Sequence, residues 1–230
     1  MAIPFWKKAI SYYVPQTLVT TKSKLNNQLK ITLIQGRLQL EAGNAVYSYD
    51  ERYDNFYRTF QQLDLQHANF ENVLLLGLGL GSIPYMLERF FLKKYHYSIV
   101  EIDEVVIQLA QKYSLPRIQS PMQLFCDDAI AFVEADTARY DMVICDLFID
   151  DVVPLQAEQT AFLYALQQRL SPKGLLLYNR LSMRPEDISA TRQFYQQIFK
   201  KIFPHATYCD TDTNWILMNT NNYVTSSRQS

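Results

Sequence analysis

Short apolar runs alternate with longer mixed segments along most of the chain, beginning near residue 72. Such runs are typical of strands buried on both faces of a parallel sheet, and the segments between them repeat apolar residues at helical spacing. The pattern predicts parallel strands at residues 73–76, 97–100, 122–125, 141–146 and 175–178. It predicts helices that begin near Ser82 and that span residues 104–113, 129–135, 158–170 and 185–203.

The first part of the chain follows another pattern. Residues 29–33 and 37–40 alternate apolar and polar side chains around Gln35-Gly36, which predicts a β-hairpin. Residues 45–49 are a candidate for a further strand, and a helical repeat of aromatic residues starts at Asp50. We therefore expect a small β subdomain and a linking helix before the main domain.

The last part of the chain predicts a turn at residues 171–174 and a closing antiparallel hairpin from residues 206–209 and 215–218. Alternating strands and helices indicate a doubly wound α/β sheet. A terminal hairpin in place of a final crossover favours the seven-stranded Rossmann-like sheet of S-adenosylmethionine-dependent methyltransferases over that of dehydrogenases. The predicted units are a β subdomain with its linking helix at 1–65, a Rossmann domain at 66–220 and a flexible tail at 221–230.

Composition narrows the function classes. The 230 residues are 48% hydrophobic and carry a formal net charge of −1, which argues against a general nucleic-acid surface. Cys126 and Cys145 lie in predicted strands and are expected to be small core residues. With Cys209 they are expected to be free thiols in a reducing compartment. The three histidines are isolated, and we assign no metal. With no signal-peptide pattern and no membrane-spanning apolar stretch, we expect a soluble cytoplasmic protein without a membrane partner.

A glycine turn marks the candidate site. Gly77, Gly79 and Gly81 follow the first predicted parallel strand, and Glu101 ends the next one. Glycines let a ligand approach the backbone, a helix start offers unpaired N–H groups, and a carboxylate at this distance can accept hydrogen bonds from a ribose diol. This arrangement predicts a nucleoside-bearing cofactor. The alternative is that the glycines only allow a tightly packed turn.

Several motifs together resemble the spermidine synthase (polyamine aminopropyltransferase) superfamily over roughly residues 45–218. They are L-L-L-G-L-G-L-G-S-I-P, V-E-I-D, D-D-A, Y-D-M-V-I-C-D and L-S-P-K-G-L-L-L-Y-N, in this order. The resemblance implies a small N-terminal β domain on a methyltransferase-like Rossmann domain. It also implies a decarboxylated S-adenosylmethionine donor, aminopropyl transfer to a diamine, and a dimer or tetramer, of which we expect a homodimer.

By position, the resemblance implies roles for individual residues. Gly77, Gly79 and Gly81 would face the donor, and Glu101 would bind the ribose hydroxyls. Asp128 would approach the adenine, although it could instead cap the following helix. Asp146 would lie beside the reacting amine as its proton acceptor, the alternative being a carboxylate that bonds loop amides.

The sequence also departs from the family pattern. Leu80 occupies the place of the aspartate that holds the donor amine, and the D-x-x-D-P motif after Asp146 is lost. The family's substrate-binding Y-H-E is matched only by Tyr53-Asp54-Asn55, whereas Tyr57 and Arg58 fit a divergent branch. These departures leave the transferred group open and weigh slightly against polyamine synthesis.

Three residues are candidates for acceptor binding: Tyr57, Asp150 and Asn179. Tyr57 is on an apolar stripe and could be a core residue, Asp150 is in an acidic loop with Asp151, and Asn179 could merely stabilise a loop. For Asp103 we favour a helix cap over a ligand contact.

Two functions remain in competition. The first is a transferase that takes S-adenosylmethionine or its decarboxylated form and transfers a methyl or aminopropyl group to a small amine, with no metal. The resemblance implies a polyamine as that amine. The second is a non-catalytic nucleoside-binding or assembly protein that kept the fold and lost the acceptor site.

Overall fold

The computed structural model describes residues 3–43, 45–148 and 153–225. A short helix, a four-stranded antiparallel sheet of order β1-β2-β3-β4 and a linking helix come first. Their bounds are α1 Phe5–Ile10, β1 Gln16–Thr21, β2 Leu29–Ile34, β3 Arg37–Ala42, β4 Ala45–Tyr49 and α2 Asp54–Gln61. The predicted hairpin is confirmed: Ile34 pairs with Arg37, and Gln35 and Gly36 both have positive φ, as a two-residue hairpin turn requires.

The main domain is a seven-stranded sheet of order β10-β11-β9-β8-β5-β6-β7. Its strands are β5 Asn72–Leu76, β6 His96–Glu101, β7 Met122–Cys126, β8 Tyr140–Cys145, β9 Leu170–Leu181, β10 Thr207–Asp210 and β11 Asn214–Met218. Strands β5 to β9 run parallel, and β11 is antiparallel to both β9 and β10. The predicted fold class, including the closing hairpin, is confirmed.

Helices connect the strands of the main sheet. They are α3 Ser82–Arg89, α4 Glu104–Tyr113, α5 Ala129–Ala135, α6 Thr160–Arg169 and α7 Pro185–Phe194. The helix expected to extend to residue 203 continues beyond α7 through a π-type turn, Tyr195–Phe199, to Ile202. Within the described ranges, we find no helix with the length and apolar character needed to cross a membrane.

Strand β5 is the switch point of the sheet. Strand β6 pairs with one of its edges and β8 with the other, so the chain leaves β5 in one direction and later returns on the opposite side. Ligands in open α/β sheets bind outside the carboxyl ends of the strands at such a point. The glycine turn that follows β5 lies at this position.

Two sequence predictions need correction. Residues 171–174 are not a separate turn but a bulge inside β9, because the register advances from Tyr140↔Leu170 to Met142↔Leu175. Cys126 is exposed and not a core residue, since it ends β7 at the edge of the sheet. Cys145 and Cys209 are buried free thiols.

The N-terminal sheet packs close to the carboxyl end of β5. Asp50 is buried and accepts hydrogen bonds from both terminal nitrogens of Arg117, at 3.0 and 2.6 Å, and from the N–H of Leu38. The hydroxyls of Ser48 and Ser82 are 2.6 Å apart. A buried charge needs such partners to offset its lost hydration, so the ion pair fixes the end of the N-terminal sheet against the segment after α4.

The end of the described chain also makes contacts. The N–H of Asp64 donates to the carbonyl of Tyr223, and the N–H of Thr225 donates to the carbonyl of Gln62. The unit boundaries at residues 65 and 220 stay a prediction.

Candidate active site

The glycine turn is closely packed by the protein itself. Gly77, Gly79 and Gly81 all have positive φ, at 93°, 52° and 74°. A Cβ on Gly77 would lie 2.2 Å from the carbonyl oxygen of Asp146, and one on Gly79 would lie 2.9 Å from that of Tyr47. Tight packing therefore explains the need for glycine here. The side chains around the turn, and not the glycines, indicate a ligand.

Glu101 points into the glycine turn from the end of β6. One carboxylate oxygen, Oε2, accepts the N–H of Leu78 at 3.0 Å, and Oε1 accepts the N–H of Asp103 at 3.1 Å. Burial raises the pKa of Glu101, while hydrogen bonds from backbone N–H groups act in the opposite direction. The N–H of Gly79 also acts on Glu101, and a carboxylate has about four acceptor positions, so Glu101 retains capacity for a ribose hydroxyl.

Asp146 follows β8, on the other side of β5. Its Oδ1 accepts two hydrogen bonds, from Asn179 Nδ2 at 2.8 Å and from the hydroxyl of Tyr53 at 3.2 Å. Burial, together with the charge of Glu101, raises the pKa of Asp146 to about 6 in spite of these two bonds. The charges of the two carboxylates therefore interact across the space beyond the end of β5.

The charge balance of this space favours a cationic ligand. The groups that perturb Asp146 and Glu101 are neutral or acidic: Tyr53, Asn179, Asp103, backbone N–H groups and the two carboxylates themselves. Two like charges in a poorly hydrated site repel each other. A bound sulfonium or ammonium group would relieve that repulsion, whereas an anionic ligand would increase it.

The structure does not bring all the predicted residues together. Asp128 is exposed and caps α5, accepting the N–H groups of Ile130 and Ala131. Tyr57 packs against the rings of Phe90 and Phe91 at the far end of α3 from the glycine turn.

Two further candidates have different outcomes. Asp150 lies outside the described residues, as does Asp151. Asn179 does reach the site, through its bond to Asp146.

Asp103 caps α4, so the helix cap predicted from the sequence is confirmed. Its Oδ1 accepts the N–H of Val105, and its Oδ2 accepts hydrogen bonds from Ser23 and Asn26 in the β1–β2 loop. This loop of the N-terminal sheet therefore lies next to Glu101.

Two contributors to the site were missed or underrated. Tyr53 precedes α2 and was matched only to a degenerate substrate motif, yet its hydroxyl contacts Asp146. Asn214 starts β11 and donates to Asn179. Its one sequence signal is that it opens an otherwise apolar strand, N-W-I-L-M.

Leu80 is 1% exposed and belongs to the hydrophobic core beside Leu78 and Ile83. The position of the family's donor-amine aspartate is therefore apolar and closed to solvent.

Most of the chain is similar to known proteins. The model of the spermine/spermidine synthase domain matches residues 63–227, more than half of the chain. The chain belongs to this spermine/spermidine synthase family. A polyamine aminopropyltransferase of Vibrio vulnificus is 31% identical over 115 residues, which cover 49% of this family member and 38% of the Vibrio protein. The match to three such curated relatives covers half of their length or less.

Solved structures support the fold of this spermine/spermidine synthase family member. A probable spermidine synthase from Corynebacterium glutamicum has a TM-score of 0.70 at 17% identity, covering 92% of this chain and 83% of that one. Human methyltransferase-like protein 13, solved in complex with SAH, has a TM-score of 0.56 at 21% identity and covers 68% and 75%. At these identities the likeness concerns the fold.

Proposed function

We propose that this chain is a transferase that binds an S-adenosyl sulfonium donor and alkylates a small amine. The observation that carries the proposal is the pair of carboxylates, Glu101 and Asp146, that flank the end of β5 without a basic partner among the groups that perturb them. One of them is positioned for a ribose diol and the other for an amine. A cationic sulfonium between them fits the charge balance.

The proposed reaction needs an uncharged amine. Its lone pair attacks the carbon attached to sulfur, the new C–N bond forms, the C–S bond breaks, and the sulfur keeps the electron pair as a neutral thioether. The amine proton passes to Asp146. Because its pKa is raised to about 6, Asp146 is roughly a hundredfold stronger as a base than an ordinary carboxylate and is still ionised at neutral pH.

The donor can be S-adenosylmethionine or its decarboxylated form, and the transferred group methyl or aminopropyl. The family and the Vibrio relative support the decarboxylated donor and an amine such as a polyamine. Against this, Leu80 is buried and apolar, so it cannot hold the donor's ammonium group. Leu80 therefore weighs slightly against polyamine synthesis and leaves the transferred group open, because S-adenosylmethionine carries the same ammonium group. We further propose a homodimer, which light scattering would test by mass.

The packing of the glycine turn also supports a second candidate. If the turn serves packing only, the chain is a non-catalytic nucleoside-binding or assembly protein. The two candidates differ in whether an amine is alkylated when donor is bound.

Calorimetric titration tests the proposal with S-adenosylmethionine, its decarboxylated form and methylthioadenosine. We expect at least one to bind, and Glu101→Gln to weaken binding roughly tenfold to a hundredfold, as expected for hydrogen bonds to a charged acceptor. Glu104→Gln, which changes a nearby exposed carboxylate, is the matched control and should bind as the wild type does. Failure of all three ligands to bind a folded sample would refute the proposal, as would unchanged binding by Glu101→Gln.

A further inference from the structure

Three polar side chains form a row across neighbouring strands at the site. Asp146 follows β8, Asn179 is in β9 and Asn214 begins β11. Cys145 pairs with Tyr178, so the next residues, Asp146 and Asn179, lie side by side. Asn179 and Asn214 are 2% and 8% exposed.

The hydrogen bonds in this row run in one direction. Thr213 Oγ1 donates to Asn214 Oδ1 at 2.9 Å, Asn214 Nδ2 donates to Asn179 Oδ1 at 2.9 Å, and Asn179 Nδ2 donates to Asp146 Oδ1 at 2.8 Å. Rotating both amides by 180° would turn the carbonyl of Asn179 towards the carboxylate, bringing two acceptors together. The donor end of Asn214 therefore determines which end of Asn179 faces Asp146.

We propose that Asn214 is a positioning residue that acts on Asp146 through Asn179. It fixes Oδ1 of Asp146 as the oxygen that accepts internal hydrogen bonds and leaves Oδ2 as the atom that receives the proton of the acceptor amine. The assignment of Oδ2 to that proton rests on the proposed function; the control of the carboxylate by the two amides does not.

Few other groups around Asp146 influence its pKa. Tyr53 faces it from the segment before α2 and donates to the same oxygen, Oδ1. Glu101 faces it from the end of β6 and opposes its ionisation. Cys145 is adjacent in sequence, but its side chain belongs to the core on the opposite face of the sheet. Two hydrogen bonds favour the ionised form of Asp146, and the one from Asn179, at 2.8 Å, is shorter than the one from Tyr53, at 3.2 Å.

The test is a carbon-13 NMR titration of Asp146 in the ligand-free protein, for wild type and Asn214→Leu. Loss of the Asn214 donor frees the amide of Asn179 to rotate, which weakens its hydrogen bond to the ionised form of Asp146. We therefore expect the pKa of Asp146 to rise, with a roughly tenfold fall in its acid dissociation constant, as expected when one hydrogen bond to a charged group is weakened. An unchanged titration in the folded variant would overturn the proposal.

Asn219→Leu is the matched control. Asn219 follows the same strand, β11, at its other end, where it accepts the N–H of Leu176 and donates to the carbonyl of Gly174. Its replacement removes two hydrogen bonds from the same pair of strands, so stability should fall while the titration of Asp146 stays at the wild-type value. An equal shift in both variants would show a general structural effect and overturn the proposal.

Asn214→Ser provides the second variant in case the leucine variant does not fold. Its shorter hydroxyl cannot span the distance to Asn179, so the same direction of change is expected, and an unchanged titration would again overturn the proposal. Where activity is measurable, the pH profile of kcat should move with the titration while KM for the donor stays unchanged. A shifted titration without donor binding would refute the proposed function and leave the positioning role intact.

Discussion

Asp146→Asn is expected to stabilise the protein while it removes the proposed proton acceptor. Burial raises the pKa of Asp146 from its ordinary value of 3.8 to about 6. A carboxyl group of this kind holds its proton more tightly in the folded than in the unfolded chain, so its ionisation opposes folding. The cost is absent below about pH 4, grows as the pH rises to about 6, and is complete above that pH.

The magnitude follows from the difference between the two pKa values. At about 1.4 kcal/mol for each tenfold change in acidity, the full cost is about 3 kcal/mol. Since the side chain is partly exposed to solvent, we expect the asparagine variant to gain about 1 to 3 kcal/mol at pH 7.5. For a chain of this size that is an increase in Tm of several degrees.

Guanidinium unfolding at pH 7.5 and at pH 4.5 provides the assay. The gain should be largest at pH 7.5 and mostly lost at the lower pH, because the wild-type carboxyl is then protonated in the folded state. Asp127→Asn, at an exposed carboxylate after β7, is the control and should show little gain. No gain at pH 7.5, or an equal gain at both pH values, would refute the reasoning.

Three further substitutions have expected outcomes. Gly77→Ala places a Cβ 2.2 Å from the carbonyl oxygen of Asp146 at a φ of 93°, so denaturant unfolding should show a loss of about 3 kcal/mol or more. Arg117→Leu leaves Asp50 buried without its cation and should cost about 3 to 5 kcal/mol in the same assay; a loss under 1 kcal/mol would contradict this. Tyr53→Phe removes a hydrogen bond that lowers the pKa of Asp146, so that pKa should rise in an NMR titration; a fall would contradict the assigned contact.

The parallel strands and the closing hairpin could be predicted because each leaves a local pattern in the sequence. The strands are buried on both faces and read as continuous apolar runs. Helix α1 and strand β1 left no such signal: α1 has no buried residue, and β1 is an edge strand whose side chains are all half-buried or exposed. The bulge in β9 resembled a turn because its residues, S-P-K-G, are common in turns.

The site could be predicted only in part. Glu101 and Asp146 were identified because each ends a strand next to the switch point. The contacts of Asn214 and Tyr53 depend on strand order and on how the N-terminal sheet packs, and neither is encoded by neighbouring residues. Tyr57 is one helical turn beyond Tyr53, so both fit the same apolar stripe, yet only Tyr53 reaches the carboxylate.

The central claim is that Glu101 binds the ribose of an adenosine-containing ligand at the end of β5. A crystal structure of the protein with methylthioadenosine tests it most directly. We expect a ribose hydroxyl oxygen within about 2.6 to 3.2 Å of a Glu101 carboxylate oxygen, with the sulfur directed towards Asp146. A nucleoside bound elsewhere, with Glu101 still bonded only to the N–H groups of its own glycine turn and helix start, would contradict it.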